Sequence, residues 1–215
     1  MSKGDKKKKK EEPTLPAEEL AVPMLEPEAE AAPQPQSGPD QLRDRARISL
    51  YEFYALGIER LIVKAPWELE RSVSAYHESF LTEQRCMGLA ILLLLGEEYV
   101  PNDAIQSMPG HEEQARFSVN QAIFRRALKE YFASKSQNPI RADMVIGRMG
   151  SYITDSRHTE QSGGDPLEAM FNTLAKRVPP RNAVEADQYV TRVEKIYDYV
   201  SGLVQAILRR YEISG

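Results

Sequence analysis

The strongest constraint on the fold of this chain is an apolar pattern between residues 186 and 211. Apolar side chains recur there at alternating steps of four and three residues. This spacing is typical of one face of a long helix that packs against another helix. The eight positions are Ala186, Val190, Val193, Tyr197, Val200, Val204, Ile207 and Tyr211. We therefore expect a helix here and take these residues as a candidate interface, either within one chain or between two chains.

The first 40 residues have the composition of a disordered arm. Half of the 14 prolines of the chain fall before residue 40, whereas every aromatic residue falls after it. Such a segment cannot bury enough apolar surface to offset the entropy lost on ordering. The sequence therefore predicts two parts, a disordered arm with a lysine run and many Pro and Glu residues over 1–40, and a single folded domain over 41–215.

Helical periodicity recurs through the rest of the sequence, and no segment alternates convincingly like a strand. We expect one helix from about residue 40 to 64 and another from 111 to 134. Residues 154–165 contain no large apolar side chain and predict an exposed loop. Asp165-Pro166 and Asn182 have the residue types that begin helices. The predicted fold is all-α, a helical bundle of five or six helices with coiled-coil-like packing.

Residues that could carry catalysis or bind a metal are sparse. The three histidines, His77, His111 and His158, fall in different predicted elements, and no His-Glu-x-x-His or paired cysteine accompanies them. The single cysteine, Cys86, lies beside the most apolar segment, where a thiol is usually inert. We therefore predict no catalytic residue, no metal site and no cofactor.

The longest apolar run is too short to cross a membrane. It spans nine residues, 87–95, whereas a membrane helix needs about 20. The lysines near the start are followed by acids and prolines, not by the apolar segment of a secretory signal. A lone cysteine fits a reducing compartment. We expect a cytoplasmic protein without a membrane span.

One short segment, residues 145–153, reads Val-Ile-Gly-Arg-Met-Gly-Ser-Tyr-Ile and resembles the Val-Ile-Gly-x-x-Gly-x-x-Ile signature of KH RNA-binding domains. In that family the glycine loop approaches nucleic-acid phosphates. The resemblance gives this role to Gly147 and Gly150, with Arg148 as the basic residue. The surrounding sequence departs from the family, because the upstream segment is helical and residues 154–165 are too polar for a strand. A helix interrupted or ended by the glycines is the other interpretation.

Two functions follow as hypotheses. The first is a non-enzymatic helical protein–protein interaction or assembly protein, a structural or scaffold role, with another protein or a second copy as partner and a homo-oligomer expected. The alternative is a nucleic-acid-binding or packaging protein, similar to a coat protein, that uses Arg-rich helical faces and a basic N-terminal run. That run consists of Lys6, Lys7, Lys8, Lys9 and Lys10. The net charge of −4 does not favour nonspecific nucleic-acid binding.

Overall fold

A computed structural model describes residues 45–63, 75–105, 110–135 and 140–214. Within these residues the chain forms six α-helices and one pair of short strands. The helices are α1 (Leu50–Val63), α2 (Ala75–Gly96), α3 (Glu112–Ser134), α4 (Ile140–Gln161), α5 (Pro166–Arg177) and α6 (Ala183–Arg210); the strands are β1 (Ala46–Ser49) and β2 (Tyr211–Ser214). The predicted helical bundle is confirmed, while the predicted arm lies outside the described residues.

Helix α2 is the central element of the bundle. It packs against α1, α4 and α6, and every residue from Cys86 to Leu93 is buried. By length and composition alone, Ser79–Tyr99 could cross a bilayer, but 67% of its most apolar window is buried inside the bundle. No second segment among the described residues has that length and hydropathy. The apolar character of α2 is therefore that of a core helix that its neighbours enclose.

Helix α1 begins later than predicted because Ser49 caps it. The Glu52 carboxylate accepts hydrogen bonds from the Ser49 backbone N–H at 2.7 Å and the Ser49 hydroxyl at 2.9 Å, and the Glu52 N–H donates to the Ser49 hydroxyl at 3.2 Å. This is the reciprocal arrangement of a capping box. The prediction of a helix start near residue 40 is therefore wrong over residues 46–49, which form β1.

The exposed loop predicted over residues 154–165 is also wrong for most of its length. Helix α4 continues to Gln161, and the chain then turns through Gly163, whose φ of +78° suits glycine. In this last part of α4, some polar side chains are exposed and others bond to neighbouring elements. Asp155, for example, accepts a hydrogen bond from the Thr173 hydroxyl of α5 at 2.7 Å. The helix starts predicted at Asp165 and Asn182 are confirmed.

The two strands form a pairing that the periodicity does not indicate. β1 and β2 run parallel, with Ala46 opposite Tyr211 and Ser49 opposite Ser214. An exposed ion pair joins Arg47 Nε and Glu212 Oε2 at 3.3 Å across the pair. A parallel pair needs a long connection between its strands, and here the whole helical bundle provides it.

A buried polar cluster joins three helices beside the end of α2. The Tyr54 hydroxyl of α1 donates to the Asn120 side-chain oxygen of α3, and the Asn120 amide donates to the Leu93 carbonyl of α2 at 2.8 Å. A Cβ added to Gly96 would lie 2.1 Å from the Tyr54 hydroxyl oxygen. The absence of a side chain at Gly96 thus leaves the space that the Tyr54 ring and hydroxyl occupy.

Candidate functional site

The predicted interface on α6 is covered largely by the chain itself. Helix α6 packs against α2 and α5, and its buried face also includes Tyr189 and Ile196, which the four-three pattern omits. Val190 is 45% exposed because a straight helix drifts from a strict heptad. Of the eight predicted positions, the buried ones are Val193, Val200, Val204 and Ile207, and the half-buried ones are Ala186, Tyr197 and Tyr211. The four buried positions are used within one chain, not as an exposed seam.

The residues that resemble a KH loop lie in the middle of α4. Gly147 and Gly150 are both helical, and a Cβ added to either would meet no atom within 4 Å. Helix α4 neither ends nor breaks at these glycines. Both interpretations of this segment, a KH-like glycine loop and a helix that the glycines interrupt or end, are therefore wrong. In a continuous helix these backbone N–H groups are bonded internally and cannot approach phosphates. The lysine run Lys6–Lys10 lies outside the described residues.

Arg148 takes part in a buried ionic cluster around Glu83. The Glu83 side chain is 5% exposed, and its carboxylate accepts from Arg148 Nη1 at 2.7 Å, from the Tyr152 hydroxyl at 3.0 Å and from Arg177 Nη1 at 3.3 Å. Arg177 also donates to Ser151 Oγ at 2.8 Å. The cluster ties α2 to α4 and α5. Every oxygen of the carboxylate is occupied, which is the arrangement expected of a structural ion cluster.

Cys86 is a buried thiol in the core of the bundle. Burial raises the pKa of the Cys86 thiol to about 12, and the negative charge of Glu83 acts in the same direction. A protonated, buried thiol is a poor nucleophile and a poor metal ligand. Among the residues that the structure describes, no group of three or more His, Cys, Asp and Glu side chains could hold a metal ion.

An arginine-lined groove lies between α2, α3 and α4. It encloses about 520 Å³ and has apolar walls that include Leu89 and Phe132. Its guanidinium groups belong to Arg85, Arg141 and Arg148, and no carboxylate is among its described lining residues. Of the three described residues of the nucleic-acid hypothesis, Gly147, Arg148 and Gly150, Arg148 lines this groove.

A larger cleft, of about 770 Å³, opens at the end of α2, where α3, α4, α5 and α6 also meet. We call it the acidic cleft. Its apolar lining residues are Ile91, Leu94, Leu95, Pro166, Leu167, Met170 and Tyr197. Tyr197 is the one residue of the predicted interface that lines it, and its side chain is half-buried.

The described residues at the rim of the acidic cleft include five carboxylates and two guanidinium groups. Arg157 of α4 bridges two of the acids, donating to Glu97 at 2.6 Å and to Glu113 at 3.0 Å. Its guanidinium carbon also lies 4.3 Å from the ring centroid of Phe117. Arg116 donates to the Val100 carbonyl at 3.0 Å and to Asn102 at 2.7 Å. Both rim cations are therefore held by the protein itself.

The acids of the rim differ in their surroundings. Burial raises the pKa of Glu97, and the attraction of Arg157 opposes this shift. Asp165 caps α5 by accepting from the Leu167 N–H at 2.8 Å. Glu98 and Glu160 are exposed, and within the described residues neither side chain has a hydrogen bond or ion pair. Within the described part of the chain, the cleft thus offers an apolar floor and two carboxylates that have no protein partner.

Sequence reasoning did not identify the acidic cleft. Its residues come from five helices and the turn after α2, and each local pattern has another explanation. Glu113 lies in the first turn of α3, where acids favour the helix dipole, and Glu160 belongs to the segment predicted as a loop. The half-buried Leu94 and Leu95 extend the most apolar run. The one signal of the cleft in the sequence is that α2 remains apolar at Leu94 and Leu95, beyond its fully buried part.

No protein-family profile, curated protein or solved structure matches this chain.

Proposed function

We propose that this chain is a non-enzymatic protein–protein interaction module that binds a segment of its partner in the acidic cleft. The observation that carries the proposal is the apolar floor of the cleft, exposed between helices that are otherwise well packed. A cleft of this size lies in the range of about 300–1,000 Å³ that is usual for pockets that bind small ligands, so it can hold a few side chains of a partner. Apolar walls with a few polar groups around them are typical of such pockets.

The geometry favours binding over catalysis. Both guanidinium groups of the cleft and the carboxylates of Glu97, Glu113 and Asp165 are bonded to other side chains or to the backbone, and the described lining residues include neither histidine nor cysteine. General acid–base chemistry needs a positioned group that titrates near the working pH, and a nucleophile needs an adjacent base. A binding role needs only the apolar floor and the charged rim.

Selection from a random peptide display library against the full chain tests this function. Selected peptides should bind the wild-type chain. They should lose most of their affinity for the Leu95→Ala and Leu167→Ala variants, because each substitution removes apolar side-chain atoms from the floor of the cleft. Leu203→Ala is the matched control, because Leu203 is also half-buried but lies outside the cleft. Selected peptides that bind all three variants equally would refute the cleft as the binding site, as would a selection that yields no peptide.

Nucleic-acid binding is the second candidate, and the arginine-lined groove is the observation that favours it. Arginine forks suit phosphate groups, and three of them line this groove, although Arg148 is also bonded to Glu83. Nucleic-acid affinity should fall steeply as salt rises, whereas apolar association should not. Size-exclusion chromatography with light scattering and nucleic-acid absorbance, at low and high salt, separates the two functions and also reports whether the chain self-associates.

A further inference from the structure

We infer that the acidic cleft binds a protein segment whose large apolar side chains are flanked by lysine or arginine. The inference rests on the proposed function and adds the chemistry of the partner. Its basis is charge complementarity between the rim of the cleft and the segment. The floor determines that the segment is apolar, and the rim determines the sign of the flanking charges.

The floor gives the first requirement. Leu94, Leu95 and Leu167 are half-buried, so each keeps apolar surface that a partner can cover. Met170 beneath them is 2% exposed and closes the bottom of the cleft. A volume of about 770 Å³ accommodates a few side chains, not a whole helix. Covering such surface is the main favourable term in association.

The rim gives the second requirement, because its positive charge is already used. Arg157 is held between Glu97 and Glu113, and Arg116 is held by Val100 and Asn102. Among the described residues that line the cleft, an acidic segment would find no unpaired cation and would face five carboxylates. Complementary charge across an interface favours the correct partner and repels segments of the same sign.

Glu98 and Glu160 are the residues that can bind the flanking cations. Both are exposed and line the cleft, Glu98 after the end of α2 and Glu160 in the last turn of α4. They belong to different elements, so a segment that lies in the cleft can contact a carboxylate from each. Because neither carboxylate has a protein partner among the described residues, binding a cation breaks no existing ion pair.

The test uses two fluorescent 12-residue peptides with leucine at the same positions. All remaining positions are lysine in one peptide and glutamate in the other. Fluorescence anisotropy with the full chain should give at least about tenfold tighter binding for the lysine peptide. Glu98→Lys combined with Glu160→Lys should weaken the lysine peptide by about tenfold or more. The matched control is Glu59→Lys combined with Glu194→Lys, which makes the same charge change at exposed positions outside the cleft and should change binding less than about twofold.

Three results would overturn the inference: equal binding of the two peptides, equal loss of affinity in the two double variants, or no binding of the lysine peptide. Failure of the inference is distinguishable from failure of the proposed function. Library peptides that depend on Leu95 and Leu167 but are neutral or acidic would contradict the inferred partner chemistry and leave the cleft as the binding site. Peptides that ignore both leucines would contradict the proposed function itself.

Discussion

Replacing Glu83 with alanine should destabilise the bundle by about 3 kcal/mol. The buried Tyr152 hydroxyl would lose its acceptor, which costs about 1–3 kcal/mol for a buried polar group. Removing one partner of a buried ion pair costs about 3–5 kcal/mol in general. The lower end applies here, because the Arg148 and Arg177 side chains are 40% and 26% exposed and can regain some hydration.

Urea unfolding of the full chain, followed by circular dichroism of the helical signal, measures this loss. The urea concentration at the midpoint should be lower for Glu83→Ala than for the wild-type chain. The dependence of the free energy of unfolding on urea concentration should not change, since the variant exposes a similar surface on unfolding. Asp143→Ala is the control. The Asp143 carboxylate lies 3.1 Å from Lys129 Nζ, but the two side chains are 65% and 55% exposed, so its loss should stay within about 0.5 kcal/mol. If Glu83→Ala costs no more than Asp143→Ala, the ionic cluster does not hold the helices as argued.

Four further predictions concern the core and α4. Gly147→Ala should raise the free energy of unfolding in urea by about 0.5–1 kcal/mol, because the added Cβ meets no atom within 4 Å and alanine favours a helix. Gly57→Ala should lower it by about 1 kcal/mol or more, because the added Cβ would lie 2.7 Å from Leu92 Cδ2 in the core. Gln84 is fully buried, and its amide has no hydrogen-bond partner in the part of the chain that the structure describes. Gln84→Met should therefore raise the free energy of unfolding by about 1–2 kcal/mol, and a loss would show that the amide is hydrogen-bonded in solution. Since burial raises the pKa of Cys86 to about 12, iodoacetamide at about pH 8 should label the chain only as fast as it unfolds, and immediate labelling of the native chain would contradict its burial.

The sequence predicts those elements whose signals are local. The final helix follows from its apolar spacing, and Asp165 and Asn182 mark helix starts because the cap and the helix are adjacent. The start of α1 was available by the same reasoning, since Ser49 and Glu52 have the spacing of a capping box.

The errors arise where distant residues decide the structure. The pairing of Ile48 with Ile213 joins opposite ends of the described chain, and four residues carry too little alternation to indicate it. The last two turns of α4 are polar because Asp155 and Arg157 bond to other elements, and such partners cannot be identified from one segment. The acidic cleft has the same origin, because it exists only where the ends of several helices meet.

The parallel strand pair also determines how the folded part responds to mechanical tension. Because β1 and β2 run in the same direction, pulling residue 45 away from residue 214 slides one strand along the other and loads their hydrogen bonds together. α1 follows β1 directly and α6 precedes β2 directly, so the strands must separate before either helix carries the load. Single-molecule pulling from these two positions should therefore give one force peak, whose height reflects the rate of unfolding and not the equilibrium stability.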